Sequence, residues 1–152
     1  MEKTRVLFVC IHNSARSQMA EAILNYLGGA SYQAESAGLE PGKVNPFAVE
    51  AMAEMGIDIS HHGTQDVFEL FKLGRRFSYV ITVCDESSGE RCPLFPGITK
   101  TLHWSFDDPA IFTGTREDRL AATIAVRDAI LRKIQDWLKE IPAPSTPAFR
   151  KE

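Results

Sequence analysis

Residues 6–21 read "VLFVCIHNSARSQMAE". The apolar run Val6–Val9 has the length of a buried strand and is too short for a helix. Past Cys10 the chain turns polar. Then Met19, Ala20, Ile23, Leu24 and Leu27 recur at helical spacing until Gly28-Gly29 closes the pattern. The turn "CIHNSARS" therefore joins the end of a strand to the start of a helix. Its backbone N–H groups, with the unpaired amides of the helix's first turn, can converge on an anion. Arg16 adds a planar fork that grips two oxygens at once. A thiol at the base of such a cradle shares its field. A free cysteine with a pKa of about 8.5 is roughly 3% thiolate at pH 7, and lowering it to about 5.5 makes it roughly 97% thiolate. Ser17, at the helix entrance, can donate a further hydrogen bond to the sulfur. Two other readings stand beside this one. Cysteine is among the most buried residue types, so Cys10 can be core alone. A nucleotide P-loop is set aside because its glycines and Lys-Ser/Thr pair are missing.

Working outward, "SYQAESAGL" reads as a second strand ending at Gly38. "VNPFAVEAMAEMG" reads as a helix, with Asn45 as N-cap, Pro46 at its first position and Gly56 beyond its end. "TQDVFELFKLG" predicts a shorter helix stopped at Gly74. "SYVITVC" and "TKTLHWSF" predict the third and fourth strands. "TREDRLAATIAVRDAILRKIQDWLKEI" is a long amphipathic helix with Thr115 and Asp118 placed to cap it. This alternation predicts a three-layer α/β fold: a flavodoxin-like, four-stranded parallel sheet of order 2-1-3-4 flanked by helices. Cys10 then ends strand one and Cys84 ends strand three, side by side where the strand order switches and ligands bind. Residues 1–140 are expected to form a single domain. Residues 141–152, with three prolines, are expected to be an unstructured tail.

Composition narrows the partners. The chain has 152 residues and a formal net charge of −3, with no long basic block, which excludes nucleic acid or an anionic membrane as the main partner. "MEKTRVLFVC" lacks the longer apolar core of a signal peptide, and no stretch has the roughly 20 apolar residues of a membrane span. A cytoplasmic monomer is expected. Three cysteines in a reducing compartment then read as thiols that react, not as permanent disulfides. No metal is assigned: the Cys and His spacing gives no plausible four-ligand zinc set, and His61-His62 reads as a solvated loop pair. In "FDDPA", Pro109 fixes Asp108 in an extended turn on the same edge as the cradle, while Asp107 reads as a turn or capping group.

"CIHNSARSQMAE" resembles the C-x5-R-S signature of the low-molecular-weight protein tyrosine phosphatase superfamily. The blocks "NSARSQMAE", "ESAG", "VNPFAVEAM", "VITVCDESSGERCPLFPG" and "HWSFDDPA" resemble its arsenate reductase branch, in order, from about Lys3 to Trp137. The resemblance implies reduction of arsenate to arsenite. The loop Ile11, His12, Asn13, Ser14, Ala15, Arg16 and Ser17 would hold the oxyanion, arsenate or phosphate. Cys10 would attack the arsenic, Cys84 would attack the Cys10 sulfur, and Cys92 would take the disulfide from Cys84. Asp108 would be the general acid. No tightly bound cofactor is implied; an external thiol reductant would recycle the enzyme, thioredoxin or else glutaredoxin with glutathione. The geometry of a sheet is compatible with such a relay. Neighbouring strands lie about 4.8 Å apart, within the reach of about 4.4–6.8 Å that a disulfide needs between Cα atoms.

Some positions depart from the pattern or extend it. Ala15 stands where many reductase relatives have a further Cys, and His12 stands where the family often has Gly, so an unusual φ is expected there. Asn13, Glu21 and Ser36 match positions at which some relatives hold a potassium ion, but Gln65 precedes Asp66 where a further carboxylate would be needed. Two other functions stay open. One is a phosphotyrosine phosphatase using Cys10, Arg16 and Asp108 alone, although Ala110 and Ile111 stand where that branch has aromatic residues. The other is a non-catalytic thiol sensor or anion-docking module.

Overall fold

Val6, Leu7, Phe8, Val9 and Cys10 are all buried, a burial on both faces that belongs to the middle of a covered parallel sheet. The computed structural model describes residues 3–84 and 100–141. In it, strand β1 (Thr4–Cys10) lies between β2 (Tyr32–Gly38) and β3 (Tyr79–Thr82), and β4 (Lys100–His103) flanks β3. All three pairings are parallel, in the order 2-1-3-4 that the sequence predicts. Helices α1 (Arg16–Gly28), α2 (Pro46–Glu54), α3 (Val67–Lys72) and α4 (Arg116–Glu140) complete the α/β architecture.

Successive side chains of a strand point to opposite faces, and β1 divides two cores accordingly. Val6, Phe8 and Cys10 join the larger one, with Met19 and Ile23 of α1, Met52 of α2, and Ile130, Ile134 and Trp137 of α4. Leu7 and Val9 face the smaller one, with Val80 of β3, Val67 and Leu70 of α3, and Phe77. Trp137 is the aromatic hub of the first core. Its ring centroid lies 5.9 Å from Tyr32, 5.1 Å from Tyr79 and 5.7 Å from Trp104.

The helix ends follow the sequence signals. Asn45 Oδ1 accepts from the Phe47 N–H at 2.8 Å, and Pro46 opens α2. Thr115 and Asp118 cap α4 reciprocally: the Asp118 N–H donates to Thr115 Oγ1 at 3.0 Å and the Thr115 N–H to Asp118 Oδ2 at 3.1 Å. One boundary is corrected. The third strand was expected to reach Cys84, but β3 ends at Thr82. The Val83 N–H still donates to the Val9 carbonyl, and β1 leaves the sheet after Cys10, so Cys84 lies past the last strand partner. Among the described residues no helix is long and apolar enough to cross a membrane. The tail beyond residue 141 lies outside the described residues.

Candidate active site

The polar turn between β1 and α1 is held by its carbonyls. Those of Cys10, Ile11, His12 and Ser14 accept from the N–H groups of Leu39, Glu40, Gly42 and Asn45, at 2.8–3.3 Å. In a trans peptide the N–H of the following residue points the opposite way, so each of these bonds turns an amide of the loop away from the 39–45 segment. That segment can approach because residue 38 is glycine. A Cβ there would stand 2.8 Å from both Asn13 N and the Ile11 carbonyl. The unusual φ expected at His12 falls instead on Asn13, at 53°, the only non-glycine residue with positive φ among those described. Asn is among the side chains that tolerate the left-handed region best. α1 begins directly behind the turn, with Ala15 at its N-cap and no side chain capping it.

A cavity of about 180 Å³ opens over this turn. Cys10, His12, Ser14, Ala15, Arg16 and Asp108, all singled out from the sequence, line it together with Gly42, Lys43 and Ala110, which were not. Asn13 and Ser17 are fully buried and brace the turn, and Ile11 is half-buried. Cys10 Sγ lies 2.9 Å from Ser17 Oγ. Asn13 Nδ2 donates to that hydroxyl at 2.8 Å, and its Oδ1 accepts from the Gln65 N–H at 2.8 Å, which fixes the orientation of the amide. Ser17 Oγ accepts from Asn13 and lies beside the Cys10 sulfur; when that sulfur is a thiolate, which has no proton to give, Ser17 is the donor of the pair.

Arg16 is buried. Its Nη1 donates to the Phe106 carbonyl at 3.2 Å, and its Nη2 is 3.6 Å from Asp108 Oδ2. Asp108 N-caps the short 3-10 turn Pro109–Ile111, with Oδ1 accepting from the Ala110 N–H at 2.9 Å, so Oδ2 is the oxygen turned to the guanidinium. Cys84 is buried on the same sheet edge, two residues past Thr82, which pairs with Val9. Cys92 lies outside the described residues.

Asn13, Glu21 and Ser36 are linked through hydrogen bonds, two of them by way of Gln65. Ser36 Oγ donates to Glu21 Oε1 at 2.6 Å, Gln65 Nε2 donates to the Ser36 carbonyl at 3.0 Å, and Asn13 Oδ1 holds the Gln65 amide. Burial, above all, raises the pKa of Glu21 above its ordinary value; the Ser36 bond opposes the shift and nearby Glu35 adds to it. The sequence alone does not single out Gln18, and it reads His62 as a solvated loop residue and Gln65 only as the neighbour of Asp66; His62 is instead half-buried and hydrogen-bonded to Gln18. None belongs to a periodic pattern, and their roles arise only where the segment 57–66 folds against the loop.

The sequence pattern of the low molecular weight phosphotyrosine protein phosphatase family matches residues 5–145. The chain belongs to this family. Within it, the chain stands in the arsenate reductase branch that the sequence blocks resemble. An arsenate reductase of Shouchella clausii is 41% identical over 137 residues, 90% of this chain and 96% of that protein. A solved arsenate reductase in the phosphate-binding state is 30% identical, with a TM-score of 0.75 over 91% of this chain and 99% of that one. A thioredoxin-dependent arsenate reductase of Corynebacterium glutamicum is 28% identical, with a TM-score of 0.64 over 90% of this chain and 62% of that one.

Proposed function

We propose that this chain reduces arsenate to arsenite, with electrons supplied by its own cysteines and renewed by a thioredoxin-like dithiol. The observation that carries the reading is the convergence of Cys10, Arg16 and Asp108 on one cavity, with a second buried thiol, Cys84, on the same sheet edge.

Arsenate enters the cradle and pairs with the Arg16 fork and the loop amides. The Cys10 thiolate, within hydrogen-bond reach of the Ser17 hydroxyl, attacks arsenic. An S–As bond forms, and one arsenate oxygen departs as water after taking a proton from Asp108, whose Oδ2 faces the site. The Cys84 thiolate then attacks the Cys10 sulfur. As the S–S bond forms, the S–As bond breaks and its electron pair stays on arsenic, which leaves as arsenite. Cys92 attacks the Cys84 sulfur, which forms the Cys84–Cys92 disulfide and releases Cys10 as thiolate. An external dithiol reduces that disulfide. The sum is one arsenate and two thiols giving arsenite, a disulfide and water. The thioredoxin dependence of the Corynebacterium relative supports that donor; glutaredoxin with glutathione is the competing one.

The test follows NADPH oxidation, with thioredoxin and its reductase present, on addition of arsenate. Wild type and Cys84→Ser are compared, and hydrolysis of an aryl phosphate is measured beside them. A reductase loses arsenate turnover in Cys84→Ser while any aryl phosphate cleavage survives. No arsenate-dependent oxidation in the wild type, with intact aryl phosphate cleavage, makes the protein a phosphatase. Neither activity makes it a sensor or dock.

A further inference from the structure

A chain of buried and part-buried polar contacts runs behind the cavity, and the chemistry above leaves it without a role. Its centre is Gln18, the third residue of α1, which is 1% exposed. Its Nε2 donates to the Asn13 carbonyl at 3.1 Å and to the Gly63 carbonyl at 3.0 Å. Both amide protons are thereby spent, and its Oε1 faces His62 Nδ1 at 2.9 Å. An amide oxygen only accepts, so His62 Nδ1 carries the proton. The groups around that imidazole are Glu21 of α1, with Oε2 3.8 Å from Nδ1, and His61 and Asp58 of its own loop. Burial first, then His61, hold His62 below the ordinary imidazole range against the pull of Asp58. The neutral ring is thus a steady Nδ1–H donor near neutral pH.

Each link fixes the next. Without a donor at residue 62, Gln18 Oε1 loses its hydrogen-bond partner in a buried site, and the side chain is drawn away from the Asn13 carbonyl toward another donor. The Asn13 carbonyl then loses the bond that holds its left-handed backbone. Asn13 Nδ2 in turn holds the Ser17 hydroxyl against the Cys10 sulfur. We infer that Gln18 is a positioning residue for the Cys10 thiolate, and that His62 is the anchor that pairs its amide oxygen and holds the side chain in place. The inference rests on the reading of Cys10 as the nucleophile.

The test uses the full chain carrying Cys84→Ser and Cys92→Ser, so that Cys10 is its one thiol. The rate of alkylation by iodoacetamide is measured against pH, with a thermal melt of each variant. Gln18→Glu keeps the shape of the side chain and removes both donors. His62→Ala removes the anchor, while His62→Asn sets an amide N–H where Nδ1 stood. Gln18→Glu and His62→Ala are expected to slow alkylation at pH 7 about tenfold, the worth of roughly one hydrogen bond to a charged group, and to move the pH–rate profile upward. His62→Asn is expected to restore the profile, which a merely structural role does not require. Should Gln18→Glu fail to fold, the Ala and Asn variants at residue 62 decide alone. A fast Cys10 that is indifferent to residues 18 and 62, or a His62→Asn as slow as His62→Ala, overturns the inference and leaves the function reading standing. A parent Cys10 no faster than free cysteine sinks both.

Discussion

Asn13 donates to the Ser17 hydroxyl, whose oxygen lies 2.9 Å from the Cys10 sulfur. A thiolate has no proton to give, so toward a Cys10 thiolate Ser17 is the donor. Hydrogen bonds to charged groups are worth about 1.5–3 kcal/mol. Ser17→Ala is therefore expected to slow alkylation of Cys10 at neutral pH about ten- to hundredfold while leaving the fold intact, since the change deletes one oxygen from a packed site. Stopped alkylation followed by mass spectrometry checks the rate, and an unchanged rate removes Ser17 from the site. At this scale the sequence was legible where chemistry and spacing coincide. Cys10, Arg16 and Ser17 sit within one turn, and the Asp108-Pro109 pair announces its own geometry. Asn13 was readable as a brace but not as the left-handed residue, because His12 occupied the position where a glycine was expected. Gln18 and His62 were not legible, since their meaning comes from a contact between residues 44 apart in the chain.

Between elements, two contacts offer measurable consequences. Trp137 is buried on α4 and touches rings from β2, from β3 and from the segment after β4, so one side chain ties the long helix across the sheet. Removing such a ring costs about 3–5 kcal/mol, a large part of the roughly 5–15 kcal/mol of a whole domain. Trp137→Ala is expected to lower the urea midpoint accordingly, with the slope unchanged. A second contact joins α1 to β2 through Glu21 and Ser36. The folded pKa of Glu21 lies above its unfolded value of 4.5, mainly through burial, so the folded state binds the proton more tightly than the unfolded one. What Glu21 contributes is full below pH 4.5 and is lost as the pH rises through its folded pKa. Glu21→Gln keeps an oxygen for Ser36 and removes the buried charge. It should raise the melting temperature at pH 7.5 and bring little or no gain at pH 4; an equal gain at both would refute a charge-burial cause. The elements themselves were legible because their signals are local, such as the Asn45-Pro46 and Thr115–Asp118 caps and the glycine stops. The end of β3 was not, because a ladder stops where its neighbour leaves, and the chain's own residues do not announce that.

Across the whole molecule, one consequence of the parallel sheet is that three distant segments share a single edge. Cys10 ends β1, Asp108 follows β4, and the 39–45 segment follows β2. An oxyanion seated between them adds a further link among these elements, so binding should register as global stability. A ligand bound only to the native state adds about 2.7 kcal/mol at one hundred times its dissociation constant, which for a domain of this size is about 5–10 °C in melting temperature. Phosphate serves as the probe, because it has the tetrahedral shape of arsenate and cannot accept electrons from thiols. It also stabilises proteins weakly by exclusion from their surfaces, so the baseline must come from a variant that cannot grip it. Arg16→Ala removes the fork, and its melting temperature should rise by the non-specific amount alone. Asp108→Asn removes the carboxylate beside the guanidinium and should give a rise larger than wild type, since one negative charge no longer opposes the anion. Cys10→Ser, which leaves the loop carbonyls and their partners in place, should shift like wild type. Equal shifts in wild type and Arg16→Ala would place phosphate binding outside this cavity and separate the cradle from the oxyanion it is proposed to hold.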